Sequence, residues 1–244
     1  MKIISFVNFK GGVGKTTSTI SVGSELAKRG NRVLMIDFDP QGSLSSSIGS
    51  KEMGKENDYT TKFLNGEIGW KITAVENLFI VPTNIQLVRT QEDLRDKHIL
   101  QKQLKNIDFD YVLIDCNPSV NILNDVALIA SDFVIIPIKL DLYSIEGFDL
   151  LQEKIHEIKE RFNPKLELLG IIETMKRNTK MHDEVHAFLK ESNLGDLLFD
   201  TAIRVNTKIE EAQLDHSPVN LYSATSAGAK DYQALTDEIE RRVR

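Results

Sequence analysis

The chain has 244 residues, of which 41% are hydrophobic and 27% charged, with a net charge of −6. That composition supports a sizeable core and excludes a disordered chain, and the acidic balance excludes a wholesale basic nucleic-acid binder while leaving room for a local basic patch. No apolar run approaches the roughly 20 residues that cross a bilayer, and the single Cys116 cannot form an internal disulfide, which fits a reducing cytoplasm.

Apolar runs alternate with helix-period stretches along the whole chain. Strands are predicted at 2–8, 32–37, 78–82, 110–115, 132–138 and 167–173, with a weaker one at 198–203. Helices are predicted at 15–29, 85–95, 97–106, 121–130, 144–161, 181–192, 206–215 and 227–243. Gly30-Asn31 marks the end of the first long helix. Residues 49–60 are polar and read as a surface excursion. The expected fold is α/β: one twisted, mostly parallel sheet flanked by helices on both faces, a single domain over 1–244. The first strand begins at Lys2, so no signal peptide is expected.

The densest signal follows the first strand. Lys10-Gly11-Gly12-Val13-Gly14-Lys15-Thr16-Thr17 stands between a strand and a helix. Gly11, Gly12 and Gly14 lack a Cβ, so successive N–H groups can turn inward toward an anion. The helix from Lys15 adds unpaired N–H groups and a positive dipole end. Lys15 supplies a point charge for phosphate and Thr16 a hydroxyl for Mg²⁺. The usual first glycine of G-x-x-x-x-G-K-[ST] would fall on Phe9, and Lys10 adds a second lysine.

Two strands end in aspartate where phosphates would lie. One reads Ile36-Asp37-Phe38-Asp39-Pro40-Gln41-Gly42; the other reads Leu113-Ile114-Asp115. Carboxylates at the carboxyl ends of parallel strands can hold Mg²⁺ and orient water. The competing reading is that they serve as turn or cap residues.

The loop Lys-Gly-Gly-Val-Gly-Lys-Thr-Thr resembles the deviant Walker A motif of the ParA/Soj/MinD ATPases, a P-loop NTPase class. That superfamily includes the nitrogenase iron protein and the arsenite-pump ATPase. The resemblance implies ATP/ADP and Mg²⁺ as cofactors, held by residues Lys10, Gly11, Gly12, Val13, Gly14, Lys15, Thr16 and Thr17. It implies a homodimer closed by ATP, with Lys10 reaching the partner's nucleotide. Asp-Phe-Asp-Pro-Gln-Gly resembles the family's D-x-D-P-Q-G motif. By that match Asp39 holds the attacking water, Asp37 supports it, and Asp115 takes the Walker B role. Lys10, Lys15 and Asp39 are then the catalytic set, and Thr16, Asp39 and Asp115 the metal set. Asn117 departs from the family's Asp-Cys-Pro-Pro.

The resemblance runs over nearly the whole chain. Gly66 to Leu87 is similar to the family's mid-region, and Val134–Ile138 to its fifth strand. Thr174-Met175-Lys176-Arg177 stands where the family carries T-M-Y-D-x-R, which puts Met175 and Arg177 at the base while the tyrosine and aspartate are absent. Ile203-Arg204-Val205-Asn206 replaces I-P-R-N, without its proline. Lys208-Ile209-Glu210-Glu211-Ala212 resembles the segment R-x-x-E-A.

Among the branches, one cysteine cannot supply the shared cluster of the iron–sulfur reductases. One loop is half of what the arsenite pump carries. A membrane-binding MinD end would be basic. Here the last helix sets Ala229, Tyr232, Leu235, Ile239 and Val243 on one stripe, with Asp231, Asp237, Glu238 and Glu240 among its polar residues. That reads as a core-packing helix with a solvated face, so no membrane partner is expected. No N-terminal helix-turn-helix is expected either. The resemblance therefore implies a short ParA-type partition ATPase, cytoplasmic and nucleoid-associated. It would bind DNA without sequence preference and be reset by a ParB-type partner. Lys180, Lys190, Arg204 and Lys208 are the DNA candidates, beside Lys176 and Arg177. The alternatives are a MinD-like membrane-associated positioning ATPase or a regulatory or carrier ATPase of the same superfamily.

Overall fold

The structure, a computed structural model, describes residues 1–48, 59–67, 69–140, 148–192 and 194–244, with Met181 described by its backbone alone. The elements run β1 (Lys2–Phe6), α1 (Lys15–Lys28), β2 (Val33–Phe38), α2 (Ser43–Ile48), α3 (Tyr59–Leu64), β3 (Lys71–Ile72) and β4 (Leu78–Val81). Then come α4 (Leu87–Asp93), α5 (Ile99–Leu104), β5 (Tyr111–Cys116), α6 (Ile122–Ala130), β6 (Phe133–Lys139) and α7 (Phe148–Arg161). The last part holds β7 (Glu167–Thr174), α8 (Lys180–Glu191), α9 (Thr207–Leu214), α10 (Val219–Tyr222) and α11 (Ala227–Arg242).

The seven strands form one sheet in the order β3-β4-β2-β5-β1-β6-β7. Every pairing is parallel except β3 with β4. β1 therefore lies between β5 and β6, and the loop after it emerges at the carboxyl ends of the sheet, where α/β folds bind ligands.

The strands are apolar on both faces, as a doubly covered parallel sheet requires. Two cores result. Leu34, Ile36, Val112 and Ile114 face one with α5 and α6; Val33, Met35, Tyr111 and Leu113 face the other with α1 and α11. Each fully buried Leu or Ile contributes roughly 1.5–3 kcal/mol. Side chains alternate along a strand. Asp37 and Asp115 therefore continue the second set and point toward α1. They are also cross-strand partners in register. This alternation puts both carboxylates on the α1 side of the sheet, with Asp115 in hydrogen-bond reach of Thr16 in the first turn of α1.

α1 ends as its sequence predicts. Gly30 has φ 89°, its N–H donates to the Ala27 carbonyl at 2.9 Å, and Asn31 N–H reaches Leu26 at 3.3 Å. That pair of bonds is a Schellman ending.

Three expectations change. Residues 198–203 are no strand. Leu198 and Arg204 make isolated bridges to Ile171 and Lys176, and Phe199 and Ile203 donate to Ile171 and Glu173. The segment lies along the outer edge of β7 and covers it, with Leu198, Phe199 and Ile203 buried. α2, α3, α10 and β3 were not predicted. The excursion at 49–60 lies outside the described residues up to 58, and α3 begins at Tyr59; positions 144–147 of the helix predicted at 144–161 also lie outside them. On α11 the apolar stripe is buried as expected. Asp231 and Glu238, however, are buried too, paired with Arg204 and Arg242. Salt bridges at 2.6 and 2.8 Å meet the cost of burying those carboxylates.

Candidate functional site

The glycine loop wraps the N-terminus of α1. Gly14 is the N-cap residue, with φ 84°, in the left-handed region that favours glycine. Gly12 has φ 71°. The loop is anchored on three sides. Asn8 donates to the Pro137 carbonyl at 2.8 Å, and its Oδ1 accepts from Lys10 N–H at 2.9 Å. The Thr174 hydroxyl contacts the carbonyls of Val13 and Ile138, both at 2.9 Å. Lys15 Nζ donates to the Lys10 carbonyl at 3.0 Å. Burial holds the Lys15 ammonium below its usual range, against the pull of Asp115.

The acidic strand ends meet this loop. Thr16 Oγ1 donates to Asp115 Oδ2 at 2.7 Å. Asp115 Oδ1 is buried and has no hydrogen-bond partner among the described residues. Burial, and then the neighbouring Asp37, push the Asp115 carboxyl well above the carboxylate range. Asp37 is fully buried and accepts from Ser45 N–H at 2.8 Å, Ser45 Oγ at 2.6 Å and Asp39 N–H at 3.1 Å. Burial nevertheless raises it to about 7. Asp37 is thus a bracket that fixes the turn carrying Asp39. Asp39 accepts from Gln41 N–H at 3.0 Å and lines the cleft.

The cleft has a volume of about 440 Å³. Gly11, Gly12, Gly14, Lys15, Thr16 and Thr17 form one wall, with Ser43, Ser46 and Ser47 of α2 opposite. Asp39, Pro118, Met175 and Gln213 complete it. A second cavity of about 170 Å³ adjoins it, lined by Arg177, Ile203, Arg204, Val205, Asn206 and Ile209 among others. Gly14, Thr17, Met175 and Gln213 line both. Met175 thus lines both cavities and Arg177 the second, one step along from the phosphate loop. Val13 is buried and contributes its backbone.

The remaining candidates fall outside the cleft. Lys180 opens α8 and Lys190 lies in its last turn, both exposed. Arg204 makes a bidentate pair with Asp231, and Lys208 pairs with Glu211 at 2.6 Å. Arg204 and Lys208 flank Asn206, which caps α9. Cys116 is buried against the first core, and burial pushes its thiol up to about 12. It is an inert apolar residue here. Asn117 is buried, and its Oδ1 accepts from Ser119 N–H at 3.2 Å, so it rebuilds the turn that a proline would have stiffened.

Sequence reading missed Asn8, Ser45, Thr174 and Gln213. Asn8 and Thr174 are polar residues at or just past strand ends, a position that could have flagged them, while Ser45 lies within the short α2. Gln213 donates to Thr17 Oγ1 at 2.7 Å across 196 residues of chain, which no local pattern reveals.

Fold and cleft together define an α/β protein of the phosphate-loop NTPase class. The AAA-domain family AAA_31 matches residues 1–168. The chain is 36% identical over 248 residues to the chromosome-partitioning ATPase Soj of Treponema pallidum, covering 99% of this chain and 98% of that one. It is 33% identical over 259 residues to the chromosome partitioning protein ParA of Caulobacter vibrioides, covering 100% and 96%. A solved Mycobacterium smegmatis structure, described as cobyrinic acid a,c-diamide synthase with bound ATP analogue and magnesium, is similar at a TM-score of 0.82 and 27% identity, covering 97% and 93%. The chain belongs to the AAA-domain family, among its ParA/Soj-type partition ATPases.

Proposed function

We propose that this chain is an ATP-hydrolysing switch for DNA partition, with its ATPase unit spanning 1–244. The observation that carries the reading is the Thr16–Asp115 hydrogen bond beneath a glycine loop that holds both Lys10 and Lys15. The residues fit ATP and Mg²⁺. A buried carboxylate with an unpartnered oxygen, beside a second buried carboxylate, is a place short of positive charge. No group of three or more His, Cys, Asp or Glu among the described residues is placed to hold a metal. Mg²⁺ on Thr16 and Asp115 would take its other ligands from phosphate and water, as this ion commonly does. Bound there, it would neutralise charge on the phosphates.

The chain's own groups do the rest. Backbone N–H groups of Gly11 to Thr17 cradle the phosphates. Lys15 adds its charge, and Met175 and Arg177 flank the base. Asp39, held by the Asp37 bracket, orients the attacking water with the help of Asp115 at the metal. Lys10 completes the site of a second protomer, so the dimer forms with ATP and loosens after hydrolysis. The ATP dimer binds DNA through Lys180, Lys190 and Lys208, with Arg204 behind them, and a ParB-type partner stimulates turnover. The protein works on the nucleoid in the cytoplasm, and no membrane partner is needed.

The experiment is Asp39→Ala. ATP binding should persist, hydrolysis should fall by about 10²-fold or more, and a dimer should elute with ATP and remain on DNA. A monomer that hydrolyses ATP at the normal rate would sink this role.

A further inference from the structure

We infer that Gln213 is a positioning residue for the nucleotide: it aims the Thr17 hydroxyl proton into the cleft and ties α9 to the phosphate loop. The inference rests on the proposed ATP site and deepens it.

The geometry is specific. Gln213 Nε2 donates to Thr17 Oγ1 at 2.7 Å. Both residues line both cavities, so they stand at the junction between the phosphate cleft and its neighbour. A nucleotide spanning the two would bring its innermost phosphate past this point. Thr17 is the third residue of α1. A threonine on a helix often turns its hydroxyl back on a carbonyl of the preceding turn, as Thr19 does on Lys15 at 3.0 Å. For Thr17 that carbonyl belongs to Val13, which already takes the Thr174 hydroxyl. An acceptor role toward Gln213 leaves Thr17 with one proton to give. An amide donating into a hydroxyl also polarises that hydroxyl as a donor.

The same end of α9 is tied to the opposite wall. His216, at φ 53°, contacts the Ser46 carbonyl of α2 through Nδ1. The C-terminal end of α9 thus bridges α1 and α2, the two walls between which the cleft opens. The N-terminal end of the same helix carries Lys208. Whatever fills the cleft bears on both anchors of a helix whose far end holds a DNA candidate.

The test is a comparison of Gln213→Ala and Gln213→Glu, with Thr17→Ala and the double variant. Binding of Mg-ATP, Mg-ADP and adenosine is measured by calorimetry, and apo thermal unfolding serves as the fold control. Gln213→Ala should weaken ATP and ADP roughly three- to tenfold, leaving adenosine and apo unfolding unchanged. Gln213→Glu should be weaker still, because a carboxylate accepts the Thr17 proton and turns it away from the nucleotide. The double variant with Thr17→Ala should lose no more than Thr17→Ala alone. Gln213→Glu binding as tightly as wild type, or additive losses in the double variant, would overturn the inference while leaving the ATP reading intact. Wild-type protein that binds no ATP would overturn both.

Discussion

Asp37 is the clearest case of a residue whose placement has a thermodynamic consequence. Its carboxyl is raised from an ordinary 3.8 to about 7 by burial, although three donors face it. The folded chain therefore keeps a proton that the unfolded chain releases. Between about pH 4 and 7 the native state binds more protons, so stability falls as pH rises through that window and levels off above it. Asp115, raised by burial and by Asp37, acts with the same sign. Urea unfolding at pH 5 and pH 8 should show the wild type losing on the order of 1–4 kcal/mol. Asp37→Asn should flatten that loss, keeping only the share due to Asp115. A cation bound at Thr16 and Asp115 would favour the ionised pair, so added Mg²⁺ and nucleotide should restore stability at pH 8. Both aspartates were legible in sequence because a strand end followed by Asp is a local pattern. Their shared protonation was not. It arises from a cross-strand register that joins residues 37 and 115.

At the scale of elements, the parts read correctly are those with a repeating physical cause. α1 is one: glycine loop, helical period, Gly30. Its ending can be tested alone. A Cβ at Gly30 would meet nothing within 4 Å, so Gly30→Ala has no steric clash and pays only for φ 89°. The expected loss is about 1 kcal/mol by chemical denaturation with an unchanged denaturant slope. The parts misread lack such a repeat. β3 has two residues, too few to show alternation. α2 is Ser-Leu-Ser-Ser-Ser-Ile, and its polar face serves the cleft and the Asp37 bracket. Residues 198–203 carry strand-like apolar residues because they fill a core. They nevertheless pair with β7 only at intervals, so burial was visible and the ladder was not.

At the scale of the molecule, charge governs the proposed partner. The net charge is −6, and the basic candidates are partly matched: Lys208 by Glu211, Arg204 by Asp231. DNA binding by such a surface should be weak for one protomer and depend on the doubled patch of a dimer. Lys208→Ala should reduce the salt dependence of DNA retention by about one phosphate contact per protomer, with ATP binding unchanged. An unaltered slope across a salt series would remove Lys208 from the interface. The fold was readable at this scale because a parallel sheet needs apolar strands and crossover helices in strict alternation. The Arg204 pair was not readable, since Arg204 meets Asp231 only when α11 folds back beside α9, whereas Lys208 and Glu211 stand three apart on one helix.

The Thr174 hydroxyl has a further mechanical meaning. It stitches Val13 of the loop to Ile138 of β6 and belongs to β7 itself, so three neighbouring chain segments are pinned at one point. That side of the cleft is a fixed jaw. The other side is held through side chains of helices and turns: the Ser45 bracket to Asp37, the His216 contact with Ser46 and the Gln213 bond to Thr17. Opening and closing around a guest is then expected to fall on α2 and α9 rather than on the loop.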